Sequence, residues 1–292
     1  MSIKVALIGA NGQLGSDIVK HFSQSDRYDL TPLTRAEVDI TQPESVNKVL
    51  GAQNFDVVIN SAAYVRVDDC EDHPQIAFDV NAIGALNIAR ACRDINALCV
   101  YISTDYVFRG SYPCPNNENV FPDPINIYGI SKLTGEHLVK QTTERSLILR
   151  ISSVFGKAGS RGKGGNFVET IIAKAKAGAP LKVVNDMFMS PTYTPDAAQL
   201  LDSLLQIGRT GIIHGANRGK CSWYEFATTA LKLANIDHPI EPVASSEFPT
   251  KAARPMNSAL ISFHLPLQDN SARRFEMRHW QEALADYIQS RD

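Results

Sequence analysis

At 292 residues the chain is long enough to bury a substantial core, in one large domain or two closely joined ones, and 29 basic against 31 acidic residues leave a net charge of −2. Nearly cancelled charge without a basic run gives no footprint for a phosphate backbone, so small molecules are the expected partners and nucleic acid is not. Five cysteines without CxxC spacing exclude a disulfide framework or zinc knuckle, and seven scattered histidines without an HExxH set leave metal chemistry without support.

The first element, "IKVALIG", is a short apolar run that reads as a β-strand. It is too short for a signal or membrane segment, which makes cytoplasmic residence the default expectation. "GANGQLG" follows at once, with Gly9, Gly12 and Gly15 opening a helix. Glycines there let the backbone turn sharply and approach a pyrophosphate at the helix N-terminus, or they only allow tight strand-to-helix packing; the position after strand one favours a dinucleotide. Strand two runs into "TRAEVDIT", with Arg35 where an acidic ribose ligand would be expected. An arginine pairs with a 2′-phosphate, so NADPH is the expected coenzyme, with NADH open.

"DVVIN", "LCVYIS" and "SLILRIS" are further strands separated by helix-sized segments, a rhythm of βαβ units and a parallel sheet. Between the first two, Ile76, Val80, Ile83, Leu86 and Ala89 recur at helical spacing and are expected to form the buried face of a crossover helix. "YISTDYVF" then puts Thr104 and Asp105 at the carboxyl edge of strand four, to face a bound carbonyl or to cap and turn the chain. "NIYGISKLTGEHL" places Tyr128 and Lys132 on one helix face, a spacing that alone fits chemistry and packing equally. After residue 155 the rhythm loosens into a glycine-rich loop, a helix and mixed short elements. The expected fold is α/β: a doubly wound Rossmann sheet over 1–155 and a smaller mixed α/β substrate lobe over 156–292, some of whose elements return to the main sheet.

The glycine loop, "STDYVF" and "YGISK", in this order, resemble the extended short-chain dehydrogenase/reductase superfamily over almost the whole chain. "INSAAY", "VNAIGALNIA", "GGNFVETI", "SPTYTPDAA", "CSWYEFA" and "FPTKAARPMNSAL" bring the likeness closest to its dTDP-4-dehydrorhamnose reductase branch. That resemblance implies NAD(P)H-dependent reduction of the C4 keto group of a nucleotide-linked 4-keto-6-deoxyhexose. Tyr128 would deliver the proton, Lys132 would favour its phenolate, Thr104 would bond the substrate oxygen and Asp105 would orient the substrate. Gly9, Asn11, Gly12, Gln13, Leu14, Gly15, Arg35, Asp39, Ile40, Ala62, Ala63 and Tyr64 would hold the coenzyme together with Tyr128 and Lys132. Asn166, Thr192 and Arg254 would hold the sugar nucleotide, Arg254 by its fork on the pyrophosphate.

The sequence departs from the branch at Ser152 and Ser153, where an aromatic ring often stacks on substrate, and at Val65, Arg66 and Met189, expected near the substrate cleft. The nucleotide is therefore left open. The acidic C-terminal pattern of metal-bridged dimers is missing, so neither metal nor dimer is expected from the resemblance. Two other readings share the motifs: an epimerase of the same superfamily, and a non-catalytic NADP-binding regulatory subunit like that of methionine adenosyltransferase.

Overall fold

The computed structural model describes residues 2–159, 165–268 and 274–291. Six parallel strands form the central sheet: β1 (Ile3–Ile8), β2 (Tyr28–Leu33), β3 (Val57–Asn60), β4 (Leu98–Thr104), β5 (Ser146–Ile151) and β10 (Gly211–His214), in the order β10-β5-β4-β3-β1-β2. The order reverses between β1 and β3, which opens a crevice at the carboxyl edge, the place where doubly wound sheets take ligands.

Alternating side chains serve opposite faces, as the two-residue period of a strand requires. Val5 and Leu7 of β1 face a core completed by α1 (Gln13–Phe22) and α8 (Thr194–Gln206), through Ile18, Phe22, Leu200, Leu201 and Leu204. Ala6 and Ile8 face a second core with α2 (Pro43–Leu50), α5 (Gly84–Asp94) and α6 (Ile127–Thr142). Two short helices, α3 (Val67–Asp72) and α4 (Pro74–Phe78), lead through one π-helical turn into α5.

That approach to α5 overturns one expectation. Ile76 and Ile83 are exposed, and Val80 and Leu86 are only partly covered. Ala89 is buried as expected, but the rest of the buried face is Ala77, Asn81, Ala85, Ile88 and Cys92. The π turn at Asp79–Ile83 offsets the helical period, and small residues let α6 pack close.

The remaining elements build a third core: β6 (Val154–Phe155), α7 (Phe167–Lys176), β7 (Leu181–Val184), β8 (Phe188–Met189), β9 (Thr192–Tyr193), β11 (Cys221–Ser222), α9 (Trp223–Leu233), β12 (Ile240–Val243) and α10 (Trp280–Gln289). Met189 lies inside this core, 1 % exposed, and so does not face the cleft as the sequence suggested. Of the cysteines, Cys114 is exposed and the other four are buried thiols. Among the described residues no helix is long and apolar enough to cross a membrane, and no cluster of His, Cys, Asp or Glu could hold a metal.

Candidate active site

A cleft of about 640 Å³ runs along the carboxyl edge of the sheet, from Arg35 and Asp39 past Thr104 and Tyr128 to Trp223 and Phe226 of the lobe. Its first end is made by the turn after β1. Gly9 has φ +84°, and a Cβ there would meet the Ala62 nitrogen at 2.8 Å, so the position demands glycine. Gly12 caps α1 without a side-chain acceptor, leaving the first-turn N–H groups to an anion. Asn11, Gln13, Leu14, Ile40, Ala62, Ala63 and Tyr64 line the same end. Gly15 does not; a Cβ on it would sit 2.1 Å from the Gly9 carbonyl oxygen, so it serves the packing of helix on turn and not the ligand. Asp39 lines the cleft with one oxygen already accepting from the Thr41 hydroxyl (2.7 Å) and backbone N–H (3.0 Å), bonds that hold its carboxyl below the usual range. The exposed Arg35 adds a smaller lowering.

The middle of the cleft is where β4 ends and α6 begins. The Asn126 side chain accepts the Gly129 N–H at 2.8 Å and donates to the Ala253 carbonyl at 2.8 Å, fixing the start of α6 and hence Tyr128 in its first turn. Tyr128 lines the cleft next to Thr104, and its ring meets Tyr106 edge-on at 5.9 Å. Thr104 in turn donates to Asp105 (3.0 Å), whose other oxygen accepts from Ser152 on the far side of β5 (2.8 Å). Burial raises the Asp105 carboxyl, against the lowering by Ser258, Ser152 and Thr104. Asp105 therefore lines the cleft with its oxygens committed to neighbours.

Lys132 is 2 % exposed; its amine donates to the Ile102 carbonyl at 2.6 Å and lies 4.0 Å from the centre of the Tyr101 ring. Desolvation takes its pKa down to about 7, countered by the Glu136 carboxylate. The expected lowering of the Tyr128 phenol by Lys132 is not what the geometry produces. Burial raises that phenol well above its ordinary value, the Thr104 hydroxyl opposes the rise, and Lys132 is held elsewhere. Tyr128 is thus firmly protonated at neutral pH.

The sugar-nucleotide candidates divide. Asn166 lines the cleft but is fully engaged: it caps α7 by accepting the Glu169 N–H at 3.0 Å and donates to the Gly156 carbonyl (2.9 Å) and the Tyr287 hydroxyl (2.8 Å). Thr192 is fully buried behind the cleft, bonded to the Ser152 N–H (3.3 Å) and Ser190 carbonyl (3.4 Å), so it supports β5 and β6 and does not meet a ligand there. Arg254 is not part of the cleft wall; it pairs with Asp68 at 2.7 Å while its buried Nη1 lacks a partner among the described residues. Val65 and Ser153 do line the cleft, and Ser153 takes φ +42°, rare for a side chain other than glycine. Arg66 lies outside it, paired with Asp69. Sequence reading missed the aromatic end: Phe167 stands 4.8 Å from Trp223 edge-on and 6.0 Å from Phe226 face-on, all three on the wall. The motif "CSWYEFA" was the available signal.

The RmlD substrate binding domain family model matches residues 3–292. The chain belongs to that family. A member from Bacillus subtilis, the spore coat polysaccharide biosynthesis protein SpsK, is 40% identical, the alignment covering 99% of this chain and 98% of SpsK. The dTDP-4-dehydrorhamnose reductase of Mycobacterium tuberculosis is 34% identical over 97% of this chain and 92% of its own. The crystal structure of the Bacillus anthracis dTDP-4-dehydrorhamnose reductase, in complex with NADP, superposes with a TM-score of 0.92 at 37% identity, covering 99% of both chains. The Mycobacterium tuberculosis and Bacillus anthracis relatives are reductases, and the present chain is an oxidoreductase with a Rossmann coenzyme site.

Proposed function

We propose that the chain reduces the C4 keto group of a nucleotide-linked 4-keto-6-deoxyhexose, converting dTDP-4-dehydro-L-rhamnose to dTDP-L-rhamnose, with NADPH as coenzyme. The observation that carries this is the meeting of Tyr128, Thr104 and Lys132 midway along one cleft, between a glycine-turn anion site and an aromatic wall. The first end fits a dinucleotide: the Gly9 cradle would be filled by any Cβ, the α1 N-terminus offers free N–H groups, and Arg35 supplies a cation for a 2′-phosphate. The Bacillus anthracis relative holds NADP, which supports the same choice here.

When bound, NADPH supplies the hydride. The ketone oxygen gains negative charge as its carbon is reduced, and the protonated Tyr128 gives it a proton while the Thr104 hydroxyl, turned from Asp105 to the ketone, donates a hydrogen bond. The Tyr106 N–H donates to the Thr104 oxygen at 3.2 Å and Asp105 accepts its proton at 3.0 Å, which fixes the oxygen at the cleft before a substrate takes over the proton. Lys132, held on the Ile102 carbonyl and lining the cleft, would when protonated add positive charge to the site as negative charge develops there, without a bond to the phenol. Residues 156–292 serve mainly as the substrate lobe, whose Phe167, Trp223 and Phe226 offer ring faces to the flat base of the nucleotide.

The test is to offer dTDP, UDP and GDP forms of 4-keto-6-deoxyhexoses with NADPH and follow loss of coenzyme absorbance. Stoichiometric oxidation with one nucleotide preferred supports the reading. Conversion without net coenzyme oxidation would assign an epimerase, and coenzyme binding with no conversion of any of them a regulatory subunit.

A further inference from the structure

Beneath the cleft lies a chain of buried charges that the proposed reaction does not directly use. Lys132 and Glu136 sit one turn apart on the same face of α6, and each is 2 % exposed. Arg150, on β5 and 1 % exposed, clamps Glu136 through two donors at 2.8 and 2.5 Å, and Ser103 of β4 donates to the same carboxylate at 2.5 Å. Arg150 also lies 3.4 Å from Nε2 of His214 on β10, and its guanidinium rests on the Phe108 ring at 5.2 Å. Nδ1 of His214 faces the Asn116 and Ile261 carbonyls at 3.1 Å each, which makes Nδ1 the donor and Nε2 an acceptor for Arg150. Desolvation holds this imidazole neutral, down to about 4, and its backbone N–H meets Glu118 at 2.9 Å.

The signs along the chain alternate: Lys132 positive, Glu136 negative, Arg150 positive, His214 neutral, Glu118 negative. Their sum is zero only while Lys132 keeps its proton. A helix face that served packing alone would not bury opposite charges on adjoining turns, since each is costly to take out of water unless the other compensates. We infer that Glu136, clamped by Arg150, is a positioning residue for the reaction, its carboxylate keeping the Lys132 amine charged and in place beneath Tyr128. This rests on the reductase reading above.

Other ionisable groups around α6 are accounted for. Tyr101 of β4 is a buried phenol, and Tyr106 after it and Tyr128 on α6 are partly buried ones, all three raised by desolvation. Asp105 is bonded to Thr104 and Ser152. On α3, Cys70 is buried, Asp68, Asp69 and Asp72 pair with Arg254, Arg66 and Lys251, and Glu71 accepts the Ile127 N–H. Asp79 of the π turn accepts from Gln75. Among the described residues Glu136 is the one charge that acts appreciably on Lys132.

Three variants separate a charge effect from damage to the fold. Glu136→Gln leaves the Arg150 cation facing Lys132 and moves loss of the Lys132 proton to lower pH. Arg150→Met leaves the carboxylate unpaired and moves it to higher pH. The double variant leaves neither member of the clamp charged and unpaired and moves it lower, because Glu136 is the nearer member of the pair. Each shift is expected to be about one pH unit. NMR titration of lysine labelled with carbon-13 at Cε, with Lys132→Met assigning the signal, reads the shift without any substrate, so it stands or falls apart from the sugar assignment. In the reductase assay the alkaline limb of kcat/KM follows the same displacements, about tenfold in rate at a fixed pH on that limb. Opposite displacements in the single variants, or the downward one in the double if the singles do not fold, support the inference. An unmoved titration, or single variants displaced in the same direction, overturns it.

Discussion

Where the cleft meets the sheet, its wall carries the polar side chains Thr104 and Asp105, with Ser152 behind them, joined by bonds of 3.0 and 2.8 Å. Where it meets the lobe, its wall is ring against ring, Phe167 with Trp223 and Phe226 at 4.8 and 6.0 Å. The polar wall is held from two strands and allows little change of angle, which suits proton transfer. The aromatic wall works by area and tolerates sliding, which suits recognition of a flat group whose identity can vary among relatives. On the proposed function, chemistry and selectivity fall on different materials within one cavity, and substitutions on the two walls should fail differently.

The largest expected effect tests the polar wall. Tyr128→Phe removes the proton donor and should lower turnover by roughly two to four decades while leaving the NADPH dissociation constant nearly unchanged, read by steady-state kinetics beside fluorescence titration. Gly9→Ala breaks the other function of the sheet edge. A methyl 2.8 Å from the Ala62 nitrogen, at φ +84°, should weaken NADPH binding by about tenfold or more with a smaller fall in turnover at saturating coenzyme. On the aromatic wall, Trp223→Ala should raise KM for the sugar nucleotide about tenfold and leave NADPH binding alone, since base stacking on a ring contributes about 1–3 kcal/mol. A coenzyme effect as large as the substrate effect would erase the contrast between the walls. Arg35→Ala should cut the preference for NADPH over NADH by severalfold, measured as a ratio of dissociation constants, with equal ratios in both proteins counting against a phosphate contact.

The smallest effect concerns stability. Burial raises the Asp105 carboxyl above its unfolded value, so the folded state favours the protonated form. Its penalty is absent below the unfolded pKa and grows as pH rises from there through the raised value. Asp105→Asn removes the charge and keeps the shape, so any gain in Tm should be larger at about pH 8 than at about pH 4. A gain confined to acid would reverse the sign of this assignment.

Much of the sheet edge could be read from the sequence because backbone geometry dictates it. A glycine turn after strand one and a hydroxyl-acid pair at the end of strand four occupy positions set by topology, and the cleft collects Gly9, Gly12, Thr104, Tyr128 and Lys132 as expected. Other assignments depended on partners distant in the chain. Thr192 looked like a ligand residue but is bonded to Ser152, forty residues away, and Arg254 is turned to Asp68. The crossover helix was misread because a π turn displaces the helical period without altering the composition around it. The third wall, Phe167 with Trp223, joins two helices more than fifty residues apart, and no local period announces such a meeting.

The return of the chain from the lobe to the sheet has a practical meaning for anyone dividing this molecule. Residues 211–214 supply the outermost strand beside β5, and the preceding helix contributes Leu200, Leu201 and Leu204 to the oily layer under α1. A fragment ending at residue 155 would expose that layer and lose the strand that guards its rim, inviting aggregation. Exchange of substrate preference between relatives is therefore better attempted by grafting wall side chains than by swapping halves.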